Sequence, residues 1–264
     1  MPKQVVIRAG STQQLPALEA LAQRTGFELV STEQSATADY CLFYRNQQLT
    51  LSDNTIRPRV EVAIDFCAGK NRHRQRFGGG HGQPVARAVN TGKLQQTQHI
   101  IADATGGFGR DALVFASLGC RVLLLERSPV VYELLRDALS RAQQHDAWSE
   151  TAARMQVHLA DSTMLPQQWP LDNLPHTVYL DPMYPQSGKS AAAKKEMQTL
   201  KGLLSCDTTA SEENDRRLLG AALRTATQRV VVKRPKSAAP IQGPAPVGHI
   251  KSANTRYDIY HPQQ

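Results

Sequence analysis

Asp103-Ala104-Thr105-Gly106-Gly107-Phe108-Gly109 sets the frame for the rest of this chain. The short apolar run His99-Ile100-Ile101-Ala102 precedes it and reads as a buried strand. Arg110-Asp111-Ala112-Leu113-Val114-Phe115-Ala116-Ser117-Leu118-Gly119 follows and reads as a helix closed by a glycine. A strand, a glycine-rich turn and a helix make the first crossover of a nucleotide-binding α/β sheet. Glycine lets the backbone approach a ligand that a Cβ would repel.

The glycines do not fall as G-x-G-x-x-G, the dinucleotide pattern, and an acid stands in front of them. An acid at the end of the first strand is a poor neighbour for a pyrophosphate and suits a cationic ligand. S-adenosylmethionine carries both an ammonium and a sulfonium, and the turn resembles the first motif of class I methyltransferases. Glycine-rich turns are common, so a plain structural strand-to-helix turn is the competing reading.

Arg121-Val122-Leu123-Leu124-Leu125-Glu126 reads as the second strand and ends in an acid 23 residues after Asp103. In sheets of this kind an acid there accepts hydrogen bonds from ribose hydroxyls. Arg127 follows, placed to lie against adenine, and Ser128-Pro129 opens the next helix. Met155 to Ala160 reads as the third strand and ends at Asp161-Ser162. A carboxylate and a hydroxyl at this rim suit the adenine amino group and a ring nitrogen, but Asp-Ser also makes an ordinary helix cap.

His176-Thr177-Val178-Tyr179-Leu180 reads as the fourth strand and runs into Asp181-Pro182-Met183-Tyr184-Pro185. This resembles the D/N-P-P-Y/F loop of amino-group methyltransferases. A flat base bearing an amine needs a face to stack on, which Tyr184 supplies. Its exocyclic nitrogen needs acceptors that aim the lone pair at the methyl group, and Asp181 and the Pro182 carbonyl can serve. A structural proline turn is the alternative. Ala191 to Leu204 and Asp215 to Thr227 have helical patterns, and Arg229 to Lys233 reads as a fifth strand. His249 to Lys251 and Arg256 to Tyr260 read as a closing antiparallel pair.

The chain has 264 residues and a net charge of +8, enough for one large α/β domain or a medium one with an appendage. No stretch approaches a membrane span, and the first residues show no secretion signal. Cys41, Cys67, Cys120 and Cys206 are too scattered for a zinc site or a disulfide framework, which fits free thiols in a reducing cytoplasm. No metal is expected.

Charge is separated along the chain. Six Lys/Arg and no acid lie between Cys67 and Ala102, and nine Lys/Arg and no acid from Arg216 through Tyr257. This points to a polyanionic partner, against the plainer reading of a merely soluble basic protein. Arg72, Arg74 and Arg76 alternate ahead of Gly78-Gly79-Gly80 and suit phosphate, as do Lys233 and Arg234 at the end of the fifth strand. Residues 1–60 read as a small unit: a strand at Val5 to Ile7, a helix ending at Gly26, and two strands around Arg45-Asn46. Val60 to Phe66 alternates and reads as a further strand.

Six tracts together resemble the bacterial ribosomal RNA small subunit methyltransferase J family. They are Arg74-Gln75-Arg76-Phe77-Gly78-Gly79-Gly80, the turn Asp103 to Asp111, Leu125 to Val131, Tyr179 to Pro185, Lys194-Lys195-Glu196-Met197 and Val230 to Pro235. The resemblance implies a class I fold: a Rossmann-like, mostly parallel seven-stranded sheet with one antiparallel strand over 61–264, plus a small N-terminal α/β subdomain over 1–60. It implies transfer of methyl from S-adenosylmethionine to the exocyclic N2 of a guanine near the 3′ end of 16S rRNA, naked or in the small ribosomal subunit. Arg110 and Asp111 fall in the family's cofactor turn, Glu126 and Arg127 at its ribose and adenine position, and Asp181 beside the methyl group; Asp103 and Gly107 of the same turn are also expected to bind the cofactor, though the second glycine varies in the family. At Asp161 and Ser162 the family shows two small hydroxyl residues, so the acid is a departure. Two other readings stay open: a methyltransferase for a protein amide or small amine, and a non-catalytic RNA-binding protein with a relic cofactor fold.

Overall fold

Asn46 and Gln47 both adopt positive φ, 48° and 60°. A two-residue hairpin turn needs that to follow the right-handed twist of its strands. They join Tyr40–Arg45 (β3) to Gln48–Asp53 (β4), paired from Arg45↔Gln48 to Tyr40↔Asp53. With Val5–Arg8 (β1), Glu28–Val30 (β2) and Val60–Val62 (β5) they form a five-stranded sheet in the order β2-β1-β3-β4-β5. The computed structural model of the chain describes residues 3–68, 80–91, 99–182, 191–204 and 212–263.

The chain falls into two compact units. The first takes the described residues of Met1–Asp65, Ser128–Ala138 and Pro185–Thr208; the second takes those of Phe66–Arg127, Leu139–Tyr184 and Thr209–Gln264. In the first, the Leu15–Thr25 helix stops at Gly26, whose φ of 71° favours glycine and whose N–H donates to Ala22 O. Val6, Val30, Ala38, Cys41 and Phe43 form its packed cluster. The strand expected over 60–66 is only Val60–Val62: pairing ends at Leu51↔Val62, and beyond it the Gln48 side-chain amide donates to Ile64 O at 3.3 Å.

The second unit is built on a seven-stranded sheet. Its strands are Ile100–Asp103 (β6), Arg121–Glu126 (β7), Met155–Leu159 (β8), Thr177–Leu180 (β9), Arg229–Pro235 (β10), Gly248–Lys251 (β11) and Thr255–Tyr260 (β12). Their order is β11-β12-β10-β9-β6-β7-β8. Neighbours from β10 to β8 are parallel, and β12 is antiparallel to both β10 and β11. The mostly parallel sheet with one reversed strand is therefore present. Ala102, Leu123, Leu125, Val178, Leu180, Val230 and Val232 pack with Leu218, Leu219, Ala222 and Leu223 of the Glu212–Thr225 helix. The buried middle residues of these central strands are mostly apolar, as expected for strands of a parallel sheet.

The topology positions the site. From β6 the chain steps outward through β7 to β8, then returns to place β9 and β10 on the other side of β6. The strand order reverses between β6 and β9, and ligands of open α/β sheets bind beyond the carboxyl ends of the strands at such a point.

Candidate active site

Asp103 ends β6 and Asp181 follows the end of β9, so the reversal point brings the two sequence motifs together. The Asp181 N–H donates to Thr105 Oγ1 at 2.7 Å, which ties the residue after β9 to the glycine turn. Ala104 N–H donates to Tyr179 O at 2.9 Å and extends the same contact. Asp103 is 3 % exposed and its Oδ1 accepts the Thr105 N–H at 3.2 Å. Burial, and then the Asp111 charge, push its carboxyl well above the ordinary carboxylate range.

Gly107 and Gly109 take positive φ, 50° and 65°, which turns the backbone sharply enough to start the Arg110–Ser117 helix. The turned Gly107 N–H donates to Glu126 Oε2 at 2.9 Å. Glu126 ends β7 and is 6 % exposed. Arg127 is half-buried beside it, while Arg110 is exposed with its guanidinium 5.1 Å from the Phe108 ring centroid.

Asp111, one residue into the helix, is turned toward the sheet. Its Oδ2 accepts from Tyr179 OH at 2.7 Å and from Lys233 Nζ at 2.8 Å, and the same Nζ donates to Asp181 Oδ2 at 2.8 Å. The Tyr179 phenol is fully buried and pushed well above its ordinary value by burial and then by Asp111. The glycine turn, β9 and β10 are thus joined by two carboxylates, one phenol and one ammonium.

The other expected residues are placed as follows. Asp161 is exposed, and its Oδ1 accepts from Thr163 N–H and Thr163 Oγ1, both at 2.9 Å, capping the short Ser162–Met164 turn. Ser162 is buried in that turn. Lys233, expected among phosphate ligands, lies between Asp111 and Asp181. Arg234 is 8 % exposed, 3.8 Å from Asp215, and donates to Ala239 O, so its guanidinium is turned into the fold. Arg72, Arg74, Arg76 and Tyr184 lie outside the described residues. Sequence reading missed Thr105 and Tyr179 as parts of the site. The signal for Tyr179 was its position two residues before Asp181, on the same face of the strand.

The family model described as "Putative SAM-dependent methyltransferase" matches residues 21–262. A protein named ribosomal RNA small subunit methyltransferase J from Laribacter hongkongensis is 50 % identical over 201 residues, 76 % of this chain and 69 % of the relative. One of the same name from Chromohalobacter salexigens is 43 % identical over 248 residues, 92 % and 93 % of the two chains. The chain belongs to this family. The fold agrees. The crystal structure of a SAM-dependent methyltransferase from Neisseria gonorrhoeae superposes with a TM-score of 0.73 at 30 % identity, covering 98 % of this chain and 96 % of that one.

As a member of a SAM-dependent methyltransferase family, the chain is an enzyme whose cofactor is S-adenosylmethionine. The rim fits that group. It presents acidic side chains at the ends of β6 and β7 and just after β9 to a ligand that carries a sulfonium and an ammonium. Glu126 is held in place by a backbone N–H that only a sharply turned glycine provides. Glu126 and Arg127 would hold the nucleoside end, and Asp103, Gly107 and Asp111 the end bearing the ammonium.

Proposed function

We propose that this chain methylates the exocyclic N2 of a guanine near the 3′ end of 16S rRNA, with the rRNA or the assembled small subunit as partner and the cytoplasm as its place of action. The observation that carries the reading is the 2.7 Å bond from Asp181 N–H to Thr105 Oγ1, which joins the acceptor loop to the cofactor turn. When bound, S-adenosylmethionine supplies an electrophilic methyl group. Asp181 accepts the N–H of the incoming amine and orients its lone pair. That matters because an amine conjugated to a ring is a weak nucleophile, and most of the rate must come from positioning and from stabilising the charge that builds on nitrogen. Tyr184 stacks on the base, which has to leave its helix for its amine to reach Asp181. Arg72, Arg74 and Arg76 hold backbone phosphate. Residues 61–264 carry the chemistry, and 1–60 act as a packing or RNA-positioning subdomain.

The reading is supported by the relatives' printed names and by a rim that holds Glu126 at the end of β7 and Asp181 just after β9. Mass mapping of 16S rRNA from cells lacking the gene tests it. The expected result is one guanine without its methyl group, restored when the purified enzyme is added with S-adenosylmethionine. An unchanged methylation map, or a purified enzyme that leaves unmodified 16S rRNA untouched, overturns it.

A further inference from the structure

A lysine that serves RNA phosphate needs its ammonium in solvent at the end of a flexible stem. Lys233 is held otherwise. The register Val231↔Tyr179 and Val232↔Leu180 sets position 233 beside position 181 across the parallel pair β10/β9. Its side chain is 27 % exposed, and its Nζ lies 2.8 Å from Asp111 Oδ2 and 2.8 Å from Asp181 Oδ2. Asp111, 11 % exposed, belongs to the helix that starts at the glycine turn; Asp181, 40 % exposed, belongs to the acceptor loop. One ammonium therefore spans the cofactor side and the acceptor side of the site.

We infer that Lys233 is a positioning residue for methyl transfer: it fixes the Asp181 carboxylate against Asp111 and keeps it an anion that accepts from the target amine. The inference rests on the proposed role of Asp181 as that acceptor. The groups that face Lys233 are Asp103 on β6, Asp111 on the helix, Tyr179 and Asp181 on β9 and its end, and Tyr257 paired with it on β12. Burial pulls the lysine's own proton affinity down, but the Asp111 and Asp181 charges outweigh it and hold the ammonium well above the ordinary lysine value. Without that cation, neighbouring acids at the rim share protons, because like charges in one site cannot all ionise.

The test compares Lys233→Met, Lys233→Arg and Asp181→Asn on unmodified 16S rRNA with S-adenosylmethionine saturating. For Lys233→Met the expected result is a kcat lower by on the order of 100-fold, an RNA KM changed by less than about threefold, and an acid limb of the pH–rate profile moved to higher pH. Lys233→Arg should return the acid limb to the wild-type position. A loss confined to RNA KM, with a shallower salt dependence, would make Lys233 a phosphate ligand and overturn the inference. So would a lower kcat with an unmoved pH profile in Lys233→Met, which is what a merely structural lysine gives. If Lys233→Met does not fold, Lys233→Arg decides by itself: the guanidinium keeps the charge but not the ammonium's geometry, so a kcat at least about tenfold lower at unchanged RNA KM with an unmoved acid limb is expected, and an unchanged kcat or a change confined to RNA KM overturns the inference. Full activity in Asp181→Asn would instead sink the reading of Asp181, and the inference with it.

Discussion

The Gly107 N–H donates to Glu126 Oε2 at 2.9 Å, so the glycine turn after β6 and the acid at the end of β7 are one piece of structure. The bond orients a carboxylate that is 6 % exposed before any ligand arrives. Pre-orientation lowers the entropy that binding has to overcome.

Glu126→Ala removes both that bond and the carboxylate expected to accept from the ribose. Affinity for S-adenosylmethionine should fall by about 10- to 100-fold, roughly 1.5–3 kcal/mol, by isothermal titration calorimetry. Glu126→Gln keeps the shape and one acceptor oxygen, so its loss should be smaller. Equal affinities in all three proteins would remove Glu126 from the cofactor site.

Asp103 sets a pH dependence of stability. Its folded-state proton affinity is raised above the ordinary value of 3.8, chiefly by burial and next by Asp111. A group raised in this way contributes stability that is fully present below its unfolded value and lost as pH rises through the folded one. Asp103→Asn keeps an acceptor for Thr105 and cannot ionise. Its Tm relative to wild type should therefore rise as pH increases above 3.8. A Tm difference that is flat with pH would contradict a raised Asp103.

His99 works in the opposite direction. It is 1 % exposed, stacks on His176 with ring centroids 5.3 Å apart, and its proton affinity is lowered to about 4 by burial, then by His176 and Arg229. A depressed histidine contributes stability that is present above its unfolded value of 6.5 and lost as pH falls toward 4. The loss should reach up to about 3 kcal/mol at the acid end. Urea titrations of wild type and His99→Gln across this range should converge as pH falls; parallel curves would remove His99 as the cause.

In the first unit, Glu133 is 3 % exposed and takes Arg24 bidentately, Nε at 3.0 Å and Nη2 at 3.1 Å. Arg136 Nε reaches it at 3.1 Å from the next helical turn. Arg24→Ala leaves a buried carboxylate with one guanidinium fewer. It should cost about 2–4 kcal/mol in chemical denaturation, and Glu133→Gln in the same background should recover part of that by removing the charge. A cost below about 0.5 kcal/mol would mean water screens the pair.

Much of this architecture was legible along the chain. The turn Asp103 to Gly109, the strand Arg121–Glu126, the Ala191–Leu204 helix and the closing antiparallel pair are all written in short-range patterns of apolar residues, glycines and caps. Glu126 was legible because an acid at a strand end, one crossover after a glycine turn, has few other uses. Asp161 carried two readings, and the structure shows it capping Thr163 through a bond that spans only two residues.

Lys233 and Arg234 mark where that legibility stopped. In sequence they are adjacent cations ending a strand, alike in every local respect. Alternation sends their side chains to opposite faces of β10, one toward Asp111 and Asp181, the other toward Asp215. Chain order and local propensity were enough to establish a doubly wound sheet and to name the two rim acids. Which cation meets which acid depends on the pairing of β9 with β10, whose partners Asp181 and Lys233 stand 52 residues apart. No local pattern records such a contact, because it comes into being only when the strands are in register.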